Sequence, residues 1–206
     1  MIDPLTLVAF IPAGLALNLT PGADMMFCLG QGLRSGPRAA WAASAGISAG
    51  AFVHVTLAGA GLGALVATLP WAFDAIRWVG VAYLLWLAQA TIRGGMTEVK
   101  APRISARRAF RSGFIVNLTN PKVILFVLAF VPQFVDPARG AILPQFLIFG
   151  LVLATGGFFI NGAVGVFAGS LGSRMIASAR FSRGLGMISA AIFAALAARL
   201  ALLERS

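Results

Sequence analysis

Asn18-Leu19-Thr20-Pro21-Gly22-Ala23-Asp24 decides how this chain folds. The heptapeptide sits inside an apolar run, about Leu5–Leu33, yet it carries a proline, a glycine, polar side chains and a carboxylate. As one straight helix the run would measure roughly 43 Å, against a hydrocarbon core of about 30 Å. A break or a strong tilt is required, and Thr20-Pro21-Gly22 supplies the break. About a hundred residues later the chain repeats the pattern as Asn117-Leu118-Thr119-Asn120-Pro121-Lys122.

Composition sets the solvent. The 206 residues are 59% hydrophobic and 11% charged, where soluble domains carry about 25% charged residues. That much apolar surface fits an integral membrane protein. The net charge of +10 comes from basic residues lying between apolar runs. There they act as topology signals and contacts for anionic lipid. No basic face stands apart from the spans, so nucleic acid is not an expected partner. The single cysteine, Cys28, excludes an intrachain disulfide and multi-Cys metal motifs. Met1-Ile2-Asp3-Pro4 lacks a basic n-region, so the first apolar run is expected to be retained rather than cleaved.

Apolar run lengths predict an all-α membrane protein with six transmembrane helices: about Leu5–Leu33, Ala39–Ala67, Trp71–Ile92, Ala109–Val131, Ile142–Leu171 and Leu185–Leu203. Helices one and four are broken near Thr20-Gly22 and Asn120-Pro121. A segment starting at Ser105 could extend the fourth helix to the inner surface. If the N-terminus is outside, inside loops hold Arg34, Arg38, Arg93, Lys100, Arg103, Arg107, Arg108, Arg111, Arg174, Arg180 and Arg183. The outside holds only Arg77, Arg139, Arg199 and Arg205. This bias predicts both termini outside. A basic cytoplasmic loop, about 93–108, would join repeat one (about 1–95) to repeat two (about 109–206) in a single transporter domain. Three spans per half make the second half enter from the opposite side, so the chain reads as two inverted three-helix repeats.

The breaks should carry the chemistry. Proline removes a backbone N–H and leaves a carbonyl of the preceding turn without its partner. In hydrocarbon such a site persists only inside protein or beside a water-filled cavity. Thr20 and Asn120 are expected to be N-caps, with Pro21 and Pro121 at the first helical position. The new helix starts would offer free N–H groups to an anion. Asp24 and Lys122 lie in the first turn after each break, and a charge at membrane depth points to function. Lys122 is disfavoured by its own helix dipole and needs a partner such as Asp24 or a bound anion. The alternative for both is a buried ion pair that only fixes packing.

Four further positions bear on the site. His54, the only histidine, follows Gly46 and Gly50 at four-residue spacing on one face of the second span. Close helix approach there would let it bond across the interface, and proton coupling is the other reading. Asn161 shares a face of the fifth span with Gly157, Gly165 and Gly169, where helix packing is favoured over a substrate contact. Gly46-Ile47-Ser48-Ala49-Gly50 matches the nucleophile-elbow pattern, but it lies inside an apolar helical run and His54 cannot reach Ser48. No enzyme is read here, no cofactor, and no metal site, since Asp/Glu/His clusters are missing. Cys28 reads as a small packing residue.

Taken together these motifs resemble the LysE/RhtB family of amino-acid exporters. The resemblance spans nearly the whole chain. It rests on Thr20-Pro21-Gly22-Ala23-Asp24, Gly46 through Gly50 to His54, and Asn120-Pro121-Lys122 followed by Pro132-Gln133-Phe134. Ala23 replaces the family's second proline, and Ala51 stands where many members carry Asp. The resemblance implies a secondary exporter of amino acids or similar metabolites, driven by the proton gradient, in a bacterial cytoplasmic (inner) membrane. Asn18, Thr20, Pro21, Gly22, Asp24, His54, Asn117, Asn120, Pro121, Lys122 and Asn161 are the candidate substrate-binding or coupling residues. Asp24 would pair with Lys122 when empty and with the substrate ammonium when loaded. Partners are then a small amino-acid substrate, protons and the lipid bilayer, and the glycine faces leave a homo-oligomer open. Export of inorganic or metal ions, or a small channel, is the alternative.

Overall fold

The computed structural model of the chain describes residues 2–68, 72–93, 103–167 and 179–202. Regular structure among the described residues is helical. The helices are α1 (Pro4–Leu19), α2 (Ala23–Ser35), α3 (Pro37–Thr68), α4 (Ala72–Arg93), α5 (Ala106–Leu118), α6 (Pro121–Ala129), α7 (Ile142–Phe167) and α8 (Ala179–Leu202). Short 3₁₀ turns at Val131–Phe134 and Pro137–Arg139 link α6 to α7. Trp71, Lys100, Gly169, Arg174, Arg205 and the expected span ends at Leu171 and Leu203 lie outside the described residues.

Local sequence sets the helix starts. Asp3 caps α1 through Leu5 N at 3.3 Å, ahead of Pro4 at the first position. Ser105 caps α5 through Arg108 N at 3.4 Å, so the fourth span begins three residues before the expected Ala109. Helix α1 runs through Pro12 without ending, so proline alone does not break it. α3 (over Pro37–Leu62) and α7 are each long and apolar enough to cross a membrane. The bent pairs α1–α2 and α5–α6, turned by 55° and 54°, raise that count from two to four. Helices α4 and α8 carry shorter apolar stretches, Val81–Ala90 and Gly186–Ala198.

Helix α3 is central and packs most extensively on α7 and α5. Small residues make this possible. A Cβ at Gly46 would collide with Phe110 O, and one at Gly113 with Ala43 O. Toward α7, Ser44 Oγ donates to Phe158 O at 2.7 Å and Ser48 Oγ to Ala154 O at 2.9 Å. Ser48 therefore ties two helices together, as its place in a helical run required. Further contacts pair α4 with α8 and α6, α1 with α8, both α1 and α2 with α7, α2 with α3 and α5, and α3 with α6.

The buried apolar residues include two clusters. One includes Phe10, Leu17, Val123, Phe126, Phe130, Phe134, Phe146 and Phe149. Its rings are in contact: Phe10 lies 4.7 Å from Phe149 and 5.1 Å from Phe134, and Phe130 lies 5.0 Å from Phe134. The other joins Cys28, Ala39, Ala43, Ile47 and Ala109. Leu17, Val123 and Leu153 of the first cluster and Ile47 of the second line the same small cavity as Asp24 and Asn117.

Candidate functional site

The first break does not use Thr20 as an N-cap. Thr20 closes α1 instead: its N–H and its Oγ1 both donate to Ala16 O, at 3.0 and 2.5 Å. Thr20 and Gly22 are extended on either side of Pro21, and α2 starts at Ala23 with Gly22 as its N-cap. The hydroxyl turned back one helical turn is no longer available to the amides ahead of it. Gly22 has no side chain to replace it, so no side-chain cap bonds the start of α2.

The second break behaves as expected. Thr119 closes α5, donating through Oγ1 to Ile115 O at 3.0 Å, and Asn120 Oδ1 caps α6 through Lys122 N at 3.1 Å. Pro121 takes the first helical position. Asp24 and Lys122 thus both fall at the second position of their half-helices.

Among the described residues no ion pair within 4.0 Å joins these two charges, contrary to the expected pairing. Asp24 Oδ2 accepts from Asn117 Nδ2 at 2.8 Å. Lys122 Nζ donates to Leu17 O at 3.0 Å and to Thr20 O at 2.9 Å. Those carbonyls close the last turn of α1, where the helix dipole is negative. The lysine has therefore found its compensation in backbone rather than in the carboxylate. Gly22 makes room for it: a Cβ there would stand 3.2 Å from Nζ. Tyr83 Oη donates to Lys122 O at 2.9 Å and anchors this turn to α4.

Asp24 is 7% exposed, and its Oδ1 has no hydrogen-bond partner. Asn117 Oδ1 and Asn161 Oδ1 are likewise buried without partners. Asp24, Asn117, Asn161, Asn18, Ser48 and Ala51 help line one cavity of about 20 Å³. That is room for about one water molecule. A second cavity of about 10 Å³ lies against Asn18, Thr20, Asp24, Lys122 and Asn161. A buried carboxylate with a vacant oxygen is costly unless a donor or cation meets it.

The remaining candidates divide. Asn18 Nδ2 donates to Leu153 O at 3.2 Å and packs on Gly156 and Gly157. Asn161 is buried in α7, and its unpartnered Oδ1 belongs to a residue that lines the same two small cavities as Asp24. His54 shares its face with Gly46 and Gly50, as expected, and its Nε2–H donates to Asn117 O at 3.2 Å. It also borders a separate groove of about 600 Å³ whose other neighbours include Leu57, Val127, Leu128 and Phe146. Ala51, a departure from the family pattern, stands on the wall of the polar cavity. Among the described residues, no group of three or more His, Cys, Asp or Glu side chains could hold a metal ion.

Apolar helices, two of them broken around buried polar groups, define a multi-pass helical membrane protein. Residues 15–204 match the family model described as LysE type translocator, and the chain belongs to that family. It is 36% identical over 146 residues to a homoserine/homoserine lactone efflux protein of Salmonella typhimurium, covering 69% of this chain and 70% of that one. It is 31% identical over 207 residues to a leucine efflux protein of Klebsiella pneumoniae, covering 97% and 96%. An uncharacterized membrane protein of Vibrio cholerae is 36% identical over 151 residues, covering 72% and 73%. No solved structure matches the chain.

Proposed function

We propose that this protein is a secondary active exporter of amino acids or closely related metabolites in a bacterial cytoplasmic membrane. It would work by alternating access around the two breaks, with proton antiport as the driving reaction. The observation that carries this reading is Asp24: a carboxylate in a broken span, bonded on one oxygen by Asn117 and vacant on the other. A zwitterion presents an ammonium to such an oxygen, with the neighbouring Asn161 Oδ1 as a second acceptor. Its carboxylate would meet the start of α2, where the amides lack a side-chain cap and the Lys122 charge stands close by. Relatives named for homoserine and leucine efflux support the substrate class.

The polar cavities are too small for any amino acid, so this conformation is closed around the site. Alternating access is supported by a site whose small cavity is lined by members of both apolar clusters, Leu17, Val123 and Leu153 of one and Ile47 of the other. The inverted repeat is supported by the matching breaks and by the contact pattern. Taken as whole spans, α3 packs on the broken pair α5–α6 as α7 packs on α1–α2, and α4 and α8 each pack on one half of the opposite broken pair. The arginine distribution supports termini on the outer side. The test is a substrate screen in inside-out vesicles with an imposed pH gradient. Uptake of one amino acid that collapses with the gradient is expected, and gradient-independent leak of inorganic ions would favour a channel.

A further inference from the structure

A proline in a helix deprives one carbonyl of its partner, the one four residues earlier. For Pro21 that carbonyl belongs to Leu17, and for Pro121 it belongs to Asn117. In this structure both are met by side chains from the opposite half of the chain. Lys122 Nζ, from the second half, donates to Leu17 O and also to Thr20 O. His54 Nε2, from the first half, donates to Asn117 O. We propose that Lys122 and His54 are crossed latches: positioning residues that bond the carbonyls whose helical amide Pro21 and Pro121 remove, Lys122 filling Leu17 O and His54 the second lone pair of Asn117 O, and so lock each half of the molecule onto the break of the other.

The surroundings fit this role. Lys122 is fixed at its own backbone by Asn120 Oδ1 and Tyr83 Oη, so its side chain starts from a set position. Gly22 leaves the path across the first break open to it. Its charge, disfavoured at the start of α6, lies at the negative end of α1. On the other side, Gly50 brings α3 up to Asn117, a Cβ there standing 2.8 Å from Asn117 Oδ1, which places His54 within reach. The two latches differ in weight. Asn117 O also accepts from Asn120 N at 3.0 Å, so His54 satisfies its second lone pair. Lys122 serves two carbonyls at once.

The lock itself does not depend on the transport reading, and neither do its assays. Cys28, the only cysteine, is fully buried one turn beyond Asp24 and serves as a probe of opening. In purified full-length protein, Lys122→Met should lower the melting midpoint by roughly 5 °C or more. It should also speed modification of Cys28 by a small methanethiosulfonate roughly tenfold or more. Lys122→Arg, which keeps the donors, should restore both. Adding Pro21→Ala supplies an amide for Leu17 O, so the melting loss caused by Lys122→Met should fall to less than half. Equal losses in the two backgrounds, or unchanged Cys28 labelling in Lys122→Met, would overturn the proposal. If Pro21→Ala cannot be isolated, the histidine decides. His54→Gln keeps a donor and should melt within about 2 °C of the parent, while His54→Leu should melt lower. Identical midpoints for Gln and Leu contradict the second latch.

Discussion

The two breaks begin alike and end differently. Each closes its first half-helix with an Asn-Leu-Thr run, a threonine hydroxyl returned to the carbonyl four residues back, and a bend near 55°. Each places a charge at the second position of the next half-helix. After that the second break has its helix start closed, because Asn120 Oδ1 caps α6 and Tyr83 holds its backbone, although Asn117 Oδ1 and Asn120 Nδ2 stay unpartnered. The first is left open, because Gly22 cannot cap α2 and Asp24 keeps an unpartnered oxygen. Under the proposed function, the difference separates a break built to hold still from one that would receive the substrate. One glycine in place of an asparagine leaves an anion-attracting helix start, and one carboxylate beside it leaves a cation-attracting oxygen.

The comparison can be broken at its supports. The largest effect is expected from Gly46→Leu, because the added carbons meet the Phe110 carbonyl, which cannot move aside without parting α3 from α5. Loss of monodisperse protein on size exclusion in detergent is the expected result. Asn120→Ala should cost about 1 kcal/mol as a lost N-cap, read as a lower melting midpoint. The opposite exchange sharpens the contrast. Gly22→Asn would offer the first break the cap it lacks but crowd Lys122 at 3.2 Å. It should weaken substrate affinity in a vesicle assay by roughly tenfold, by filling the amides a carboxylate would use. Smallest of all is Ala23→Pro. Ala23 is the first residue of α2, a position that accepts proline, so stability should change by less than about 1 kcal/mol in a melting assay.

Much of this was legible in the chain. Run length against bilayer thickness required a break at Thr20-Gly22, and the repeat at Asn117–Lys122 pointed to the second. The shared face of Gly46, Gly50 and His54 followed from four-residue spacing. What sequence could not supply were partners distant in the chain. Lys122 needed compensation, and Asp24 was the obvious opposite charge. The backbone of α1 offered two carbonyls instead, one of them exposed by Pro21, and Asn117 took the carboxylate. The same proline arithmetic names Leu17 and Asn117 as orphans from sequence alone, but not the side chains that reach them. Thr20 misled for a local reason: a threonine before proline can serve either helix, and here its hydroxyl turns back.

The account stands or falls on Asp24. Export measured in inside-out vesicles, with Asp24→Asn and Asp24→Glu matched to the parent for expression, tests it most directly. Losing the charge while keeping the shape should reduce the initial rate by roughly a hundredfold, the order expected when a buried charged contact is removed. Glu should retain a measurable fraction. Export by Asp24→Asn at the parent's rate would contradict the account, leaving the carboxylate as a packing residue held by Asn117.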